Sequence, residues 1–199
     1  LDKPTAGSVL LAGRDLTAVK EKELAAFRRD NLGFVFQDFN LLDTFSLRDN
    51  ILLPLVLAGK KYQEMVRRLA PLAEALGIQQ LLDKYPYEVS GGQKQRCAVA
   101  RALITEPQIV LADEPTGALD SKSAKLLLDR LDELNREMGA TILMVTHDAF
   151  TASCCRRVVF LQDGKLFLEL HRGADSRKAF FQKIIQVTAR MGGGMADVL

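Results

Sequence analysis

Two neighbouring carboxylates directly follow a short apolar run and form the first candidate site. The run covers residues 109–112, and Asp113 and Glu114 come next. A continuous apolar run is typical of a strand buried in a parallel sheet, and such sheets bind ligands beyond the carboxyl ends of their strands. There Asp113 can hold Mg²⁺ through water, and Glu114 can polarise an attacking water molecule. The alternative interpretation is a solvated acidic turn.

A hydroxyl group and two glycines stand directly before a helix-forming segment. The string Ser90-Gly91-Gly92-Gln93-Lys94-Gln95-Arg96 precedes residues 97–103. Backbone N–H groups at a helix N-terminus lack helical partners, the helix dipole is positive there, and glycine allows a phosphate to approach the backbone. The four residues Ser90, Gly91, Gly92 and Gln93 therefore predict an anion site. The alternative is a glycine turn before a serine-capped helix.

Three further polar residues adjoin predicted strands or helices. Gln37 ends the strand-forming run at 34–36, and its amide can contact Mg²⁺ and water together. His147 lies just past the apolar run at 141–145 and can donate to a phosphate, although a purely structural histidine is the alternative. Asp120 is placed to cap the next helix, and that role is compatible with a subunit contact.

The elements that must position these residues alternate between strand-like and helical patterns, which indicates an α/β fold. Strands are predicted at 9–11, 33–37, 109–112 and 141–145, and a hairpin at 158–168 around Asp163-Gly164. Helices are predicted at 20–29, 62–76, 124–138 and 180–191. Ser46 is predicted to cap a helix, and Gly77, Gly139 and Gly192-Gly193-Gly194 to end helices. The mostly helical stretch from about 41 to 103 is interpreted as a subdomain inserted into the α/β core.

Composition and the distribution of apolar residues disfavour several classes of protein. Lys and Arg number 27 against 25 Asp and Glu, and this near balance disfavours binding to nucleic acid. The longest apolar run, 51–58, is interrupted by Pro54 and is too short to span a bilayer. The first residues have no apolar region of the kind found in secretory signals. Three cysteines without metal-type spacing disfavour a disulfide framework or a zinc site and suit a reducing cytoplasm.

In this order, the candidate residues resemble the ABC ATPase family, and the similarity extends over nearly the whole chain. The resemblance implies one domain over 1–199 with a P-loop NTPase-like, mostly parallel sheet flanked by helices, and the inserted α-helical subdomain at about 41–103. It also implies ATP as substrate and Mg²⁺ as cofactor. The family's motifs would fall on Gln37 (Q-loop), Ser90 to Gln93 (signature), Asp113 (Walker B), Glu114 (catalytic glutamate), Asp120 (D-loop) and His147 (switch loop).

Several shorter segments of the sequence resemble one branch of this family, which serves macrolide export, lipoprotein release and antimicrobial-peptide resistance with FtsX-like permeases. The segments that carry this resemblance are residues 4–7, 31–37, 49–54 and 115–120. Residues 181–185 and the glycine run are most similar to the bacitracin-resistance type. The resemblance implies a peripheral location at the cytoplasmic face of the membrane, with a second ATPase copy, arranged head to tail, and a permease as partners. The permease is expected to contact residues 38–53, and nucleic acid is not expected as a partner.

One family motif has no counterpart in the sequence, because no G-x-x-x-x-G-K-[ST] segment occurs. We therefore expect the chain to begin just after the helix of that loop. The 199-residue polypeptide is expected to hydrolyse ATP poorly, whereas the intact gene product is expected to be an ATPase. Two other functions stay open: a soluble, non-transport ABC ATPase in DNA repair or translation, and a non-catalytic subunit that only offers its signature to a partner.

Overall fold

The computed structural model describes residues 4–137 and 139–193, and the chain divides into two compact units. The first unit is Leu1–Val145 and the second is Thr146–Leu199. Within the described ranges, none of the helices combines the length and the apolar character that crossing a membrane requires.

The first unit is built on a parallel sheet that follows a small antiparallel hairpin. Its strands are β1 (Leu10–Leu11), β2 (Arg14–Asp15), β3 (Leu32–Val35), β4 (Ile109–Asp113) and β5 (Ile142–Val145). The hairpin pairs β1 with β2, and the sheet has the order β3-β4-β5. Val35 lies opposite Ala112, and Asp113 lies opposite Val145. Because the three strands run in the same direction, their carboxyl ends meet at one edge of the sheet.

The described residues of the first unit form five α-helices, and local residues explain where several of them start or stop. They are α1 (Glu21–Asn31), α2 (Leu47–Leu57), α3 (Tyr62–Ala75), α4 (Gly91–Leu103) and α5 (Ser121–Glu137). The Ser46 hydroxyl caps α2 by accepting from the Asp49 N–H at 3.1 Å. Gly77 follows α3 with a φ of 60°, a left-handed conformation that glycine adopts readily. These caps and stops were predicted from the sequence.

A hydrophobic cluster joins helices α2, α3, α4 and α5 to the sheet of this unit. It contains Leu47 and Ile51 of α2, which are fully buried, together with Val35 of β3 and Val110 of β4. Residues of α3, α4 and α5 belong to the same cluster. The helical region at 41–103 therefore packs directly on the sheet, and its status as a separate subdomain stays a prediction.

Gly33 in β3 lies where the backbone of α4 comes closest. A Cβ atom at this position would overlap the carbonyl oxygen of Ala102 and lie 3.1 Å from its carbonyl carbon. We expect Gly33→Ala to lower the free energy of unfolding by about 1–3 kcal/mol, because a backbone obstacle cannot rotate away. Urea unfolding followed by circular dichroism measures this change. A value within about 0.5 kcal/mol of wild type, as at ordinary surface positions, would contradict the close approach.

Residues 146–193, the described part of the second unit, form an antiparallel hairpin and two helices. Its elements are α6 (Ala149–Ala152), β6 (Arg157–Gln162), β7 (Lys165–His171) and α7 (Arg177–Gly193). Asp163 and Gly164 form the hairpin turn with φ angles of 52° and 73°, as this dipeptide predicts. Phe180, Ile184 and Val187 are buried along one side of α7, in agreement with the helical spacing.

Two predicted strands differ from the structure. The strand predicted over 33–37 ends at Val35, because the next carbonyl, that of Phe36, accepts from a side chain of α4 instead of a strand. β5 was predicted to be buried, but Leu143 and Val145 are 55% and 61% exposed. The reason is that β5 is the outermost strand of the sheet formed by the described residues. Met138 and Gly194, both predicted at helix ends, lie outside those residues.

Candidate functional site

The strand ends bring Gln37, Asp113 and Glu114 to the same edge of the sheet. β3 and β4 are parallel and end within one residue of each other in register. Asp113 is exposed and Glu114 is half-buried. The Glu114 N–H donates to the Val145 carbonyl at 2.9 Å, while its φ of 43° turns the chain away from the sheet. The acidic pair is thus fixed to β5 through the backbone of its second member.

Gln37 lies against the loop that follows the acidic pair. A Cβ atom on Gly117 would stand 3.0 Å from Gln37 Cδ and 3.2 Å from its Nε2. The Gly117 N–H donates to the Glu114 carbonyl at 2.9 Å, so this loop begins at Glu114 itself. The Gln37 side chain therefore packs against the loop that begins at the acidic pair.

The N-terminus of α4 forms a capping box, so the serine-capped helix given as the alternative interpretation is present in the structure. Ser90 Oγ accepts from the Gln93 N–H at 3.4 Å, and Gln93 Oε1 accepts from the Ser90 N–H at 2.8 Å. Because the hydroxyl oxygen accepts in this cap, its proton can be directed outward. The positive end of the helix dipole and the first-turn N–H groups add to its attraction for an anion.

Two glycines bring this end of α4 against the other loops of the site. A Cβ atom on Gly92 would lie 2.8 Å from both Cβ and Oγ of Ser123 in α5. One on Gly91 would lie 3.6 Å from the Phe39 ring and 3.8 Å from the Ala118 carbonyl. The structure thus brings the glycine turn, the loop of Gln37 and the loop of Glu114 together in the first unit.

Asp120 caps α5, as predicted. Its Oδ1 accepts from the N–H groups of Lys122 and Ser123, both at 3.0 Å, and the Ser123 hydroxyl donates to its Oδ2 at 2.7 Å. These hydrogen bonds, led by the one from the Ser123 hydroxyl, hold the pKa of Asp120 below its usual value of 3.8.

The stabilisation by the Asp120 cap depends on pH. A carboxyl group whose pKa is lowered on folding stabilises above its unfolded pKa, and this stabilisation is lost as the pH falls through the folded pKa. For Asp120 the stabilisation begins to be lost near pH 3.8 and decreases further as the pH falls, because its folded-state pKa is lowered.

The variant Asp120→Asn keeps an acceptor oxygen without the charge. We expect its deficit in unfolding free energy to be constant at neutral pH and to shrink in acid, as measured by urea unfolding. A deficit in unfolding free energy that is equal at neutral and at acidic pH would contradict a cap that depends on the Asp120 charge.

His147 belongs to the second unit. It is exposed, follows the end of β5 by two residues, and directly precedes Asp148. Asp148 caps α6 by accepting from the N–H groups of Phe150 and Thr151. The structure therefore places His147 on a segment ordered by a helix cap, while the other predicted site residues lie in the first unit.

Gln95 was missed by the sequence analysis although it links two loops of the site. It is fully buried, and its Nε2 donates to the carbonyls of Phe36 at 3.0 Å and Pro115 at 2.7 Å. The available indication was its place on the apolar face of α4, four residues before Val99 and seven before Ala102. A polar residue on such a face needs buried partners.

Arg101 was also missed. Its guanidinium donates to the carbonyls of Phe39 at 2.9 Å and Asn40 at 2.5 Å, and burial lowers its pKa. Both acceptors lie in the loop that carries Gln37. No local pattern in the sequence indicates this contact, because the partners are about sixty residues apart.

The three cysteines differ in burial. Cys97 is fully buried in α4, and Cys154 and Cys155 are half-buried. Burial raises the pKa of the Cys97 thiol to about 12, so it stays protonated at neutral pH. Thiolate chemistry at Cys97 is thereby excluded.

Comparison with known proteins decides the family. A sequence model of the ABC transporter family matches residues 1–117. The chain belongs to the ABC transporter family. The resemblance and the fold class expected from the motifs are both confirmed.

ABC transporter ATP-binding proteins are among its relatives. The ATP-binding protein YvcR of Bacillus subtilis is 55% identical, over 97% of this chain and 74% of its own length. The bacitracin export ATP-binding protein BceA of Halalkalibacterium halodurans is 50% identical, over 99% of this chain and 78% of its own. The chain is accordingly an ATP-binding subunit of an ABC transporter.

Solved ABC cassettes share its fold. A dimeric cassette in a post-hydrolysis state, bound to ADP and Pi, matches with a TM-score of 0.74 and 37% identity, over 85% of this chain and 75% of that one. The dimeric structure of a bacterial ABC transporter cassette matches with a TM-score of 0.75 and 38% identity, over the same shares.

Proposed function

We propose that this ABC transporter subunit hydrolyses ATP at the sheet edge that carries Gln37, Asp113 and Glu114. The observation that supports this most directly is the packing of Gln37 against Gly117, with 3.0 Å between Gln37 Cδ and the Cβ position of the glycine. It places an amide beside the loop that starts at the acidic pair. An amide and two carboxylates in one place provide both a metal ligand and a base.

The donor set at this edge suits Mg²⁺. Asp113 offers an exposed carboxylate and Gln37 an exposed amide oxygen, both hard oxygen donors. In proteins this ion uses one or two carboxylates and completes its coordination with water and substrate phosphates. When bound, it offsets negative charge on the phosphates. Asp113 and Gln37 would hold it in this role.

Glu114 would activate the attacking water. Its half-buried carboxylate at the turn after β4 can orient the water and accept its proton, a contribution of about 10²–10⁴ in rate. Gln37 can hydrogen-bond to the same water, because its amide both donates and accepts. His147, two residues beyond β5, would donate to the γ-phosphate.

A second copy of the subunit would complete the site. In a head-to-tail pair, Ser90 and Gly92 at the N-terminus of α4 would contact the γ-phosphate held by the partner, and Gly91 and Gln93 would shape that turn. The dimeric form of the two solved cassettes supports pairing. Asp120 lies beside Ser123, which packs on Gly92, so the D-loop would meet the same interface. Hydrolysis would then depend on closure of the pair.

The permease would be contacted by residues 38–53. Within this segment Leu42 and Phe45 are 45% and 39% exposed, whereas Leu47 and Ile51 are fully buried. The exposed pair would insert into an FtsX-like permease, and the buried pair anchors α2 in the core. This contact would hold the subunit at the cytoplasmic face of the membrane as a peripheral protein.

Bacitracin or a related antimicrobial peptide is the proposed cargo, because a bacitracin export ATP-binding protein is 50% identical to the chain. The full-length gene product, expressed with an FtsX-like permease in a bacitracin-sensitive bacterium, should raise the inhibitory concentration of bacitracin. A Glu114→Gln version should not do so, and an antibiotic with an intracellular target serves as control. Equal resistance with both versions would refute ATP-driven export.

The 199-residue polypeptide by itself is proposed to hydrolyse ATP slowly. Its sequence contains no G-x-x-x-x-G-K-[ST] segment, and such loops supply the lysine and backbone N–H groups that hold the β- and γ-phosphates. Release of labelled phosphate from ATP measures this, with the full-length gene product as comparison. Equal turnover by both polypeptides would contradict the proposal.

A further inference from the structure

Gln95 holds two loops of the proposed site with one side chain. Its Nε2 donates both protons, to Phe36 O at 3.0 Å and to Pro115 O at 2.7 Å. Both acceptors are carbonyl oxygens, so only the amino end of the carboxamide can face them. Phe36 directly precedes Gln37, and Pro115 directly follows Glu114. The backbone next to Gln37 and the backbone next to Glu114 are therefore hydrogen-bonded to the same side chain of α4.

Arg101, six residues further along α4, holds the other side of the Gln37 loop. Its two terminal nitrogens donate to Phe39 O at 2.9 Å and Asn40 O at 2.5 Å. Phe39 and Asn40 have φ angles of 62° and 50°, a left-handed conformation that is unfavourable for phenylalanine and better tolerated by asparagine. A planar cation that spans two successive carbonyl groups stabilises this bend. The chain that leaves Gln37 is thus bent and tied to α4.

We propose that Gln95 and Arg101 are positioning residues through which α4 sets the places of Gln37 and Glu114 during hydrolysis. Ser90 and Gly92 stand at the N-terminus of the same helix. Contact between that end and a phosphate would displace α4 as a rigid body, and the two side chains would carry the displacement to both loops of the same chain. This inference rests on the proposed ATP hydrolysis.

Amide hydrogen exchange on the 199-residue chain tests the attachment without any need for ATP turnover. Gln95→Met keeps the length of the side chain and removes its donors. Peptides covering 36–40 and 115–120 should exchange about tenfold faster than in wild type, because each loop loses a buried hydrogen bond. Peptides from α3 should be unchanged. Gln63→Met, the same change at an exposed position of α3, is the matched control and should behave as wild type.

Two results of that experiment would overturn the inference. One is unchanged exchange in both loops. The other is an equal increase in every helix of the first unit, which would mean that Gln95 only stabilises the fold.

Arg101→Lys provides a second, milder variant in case Gln95→Met fails to fold. Lysine keeps the charge but presents one nitrogen in place of two. Exchange should rise at 39–42 and stay at the wild-type rate at 115–120, because the two hydrogen bonds of the Arg101 guanidinium go to Phe39 and Asn40. Amide exchange at the wild-type rate in both segments would overturn the proposed role of Arg101.

Steady-state hydrolysis by the full-length gene product tests the catalytic consequence. Gln95→Met should lower kcat about tenfold to a hundredfold, because the water and its base lose their alignment, while KM for ATP stays within about twofold. An unchanged kcat would overturn the inference. Absence of turnover in the wild type would instead count against the proposed function, and the exchange experiment would still decide whether the two side chains hold the loops.

Discussion

Glu114→Gln in the full-length gene product is expected to lower kcat for ATP about 10²–10⁴-fold and to leave nucleotide binding close to wild type. Glutamine has the same shape but cannot accept a proton from water. The turn at this position is held by the Glu114 N–H, which donates to Val145 O at 2.9 Å, and this bond does not involve the carboxylate. Phosphate release measures turnover, and equilibrium dialysis measures binding.

Two other substitutions help to interpret the kcat of Glu114→Gln. Glu74→Gln makes the same chemical change at an exposed position of α3 and should leave kcat at the wild-type value. Asp113→Asn should raise the Mg²⁺ concentration needed for half-maximal turnover, because a metal ligand loses its charge. Retention of more than about a tenth of kcat by Glu114→Gln would show that another group acts on the water.

Gly92→Ala is the second change for which we expect a large effect. Its new Cβ atom would lie 2.8 Å from Cβ and Oγ of Ser123, so α4 or α5 has to move. We expect the free energy of unfolding to fall by about 1–3 kcal/mol, as for other overpacked positions. ATP turnover by the full-length gene product should fall as well, because the glycine turn at the end of α4 shifts. Urea unfolding and phosphate release measure the two effects.

Neighbouring positions provide the controls for Gly92→Ala. At Gly91 a Cβ atom would meet nothing closer than 3.6 Å, so Gly91→Ala should change stability much less. The double variant Gly92→Ala/Ser123→Gly removes the obstructing atoms and should recover stability relative to the sum of the two single changes. Strict additivity of the two changes would mean that Ser123 is not the obstacle.

The parts of the fold that the sequence predicted well are governed by residues close together in the chain. The caps at Ser90 and Asp120 involve partners three residues away or fewer. The turn at Asp163-Gly164 depends on the two residues that form it. The strand that leads to Asp113 is an apolar run with a clear end. The motif residues could therefore be placed on elements before their spatial arrangement was known.

The contacts that shape the site depend on distant segments, and the sequence did not indicate them. Gln95 reaches partners 59 and 20 residues away. The packing of Gly92 on Ser123 joins two helices whose separation follows from the whole core. The exposure of β5 depends on which strand is outermost in the sheet. Composition and periodicity carry no information about such distances, so these features had to come from the structure.

The left-handed backbone at Glu114, with a φ of 43°, has a consequence for protein engineering. Glycine, which adopts this conformation freely, would relieve a penalty of about 1–2 kcal/mol at this position. Selection for heat resistance alone would accordingly favour exchanges at 114 that remove the proposed base. A library of thermostable variants of this subunit has to be screened for ATP turnover as well as for melting temperature, since the most heat-stable variants can lack activity.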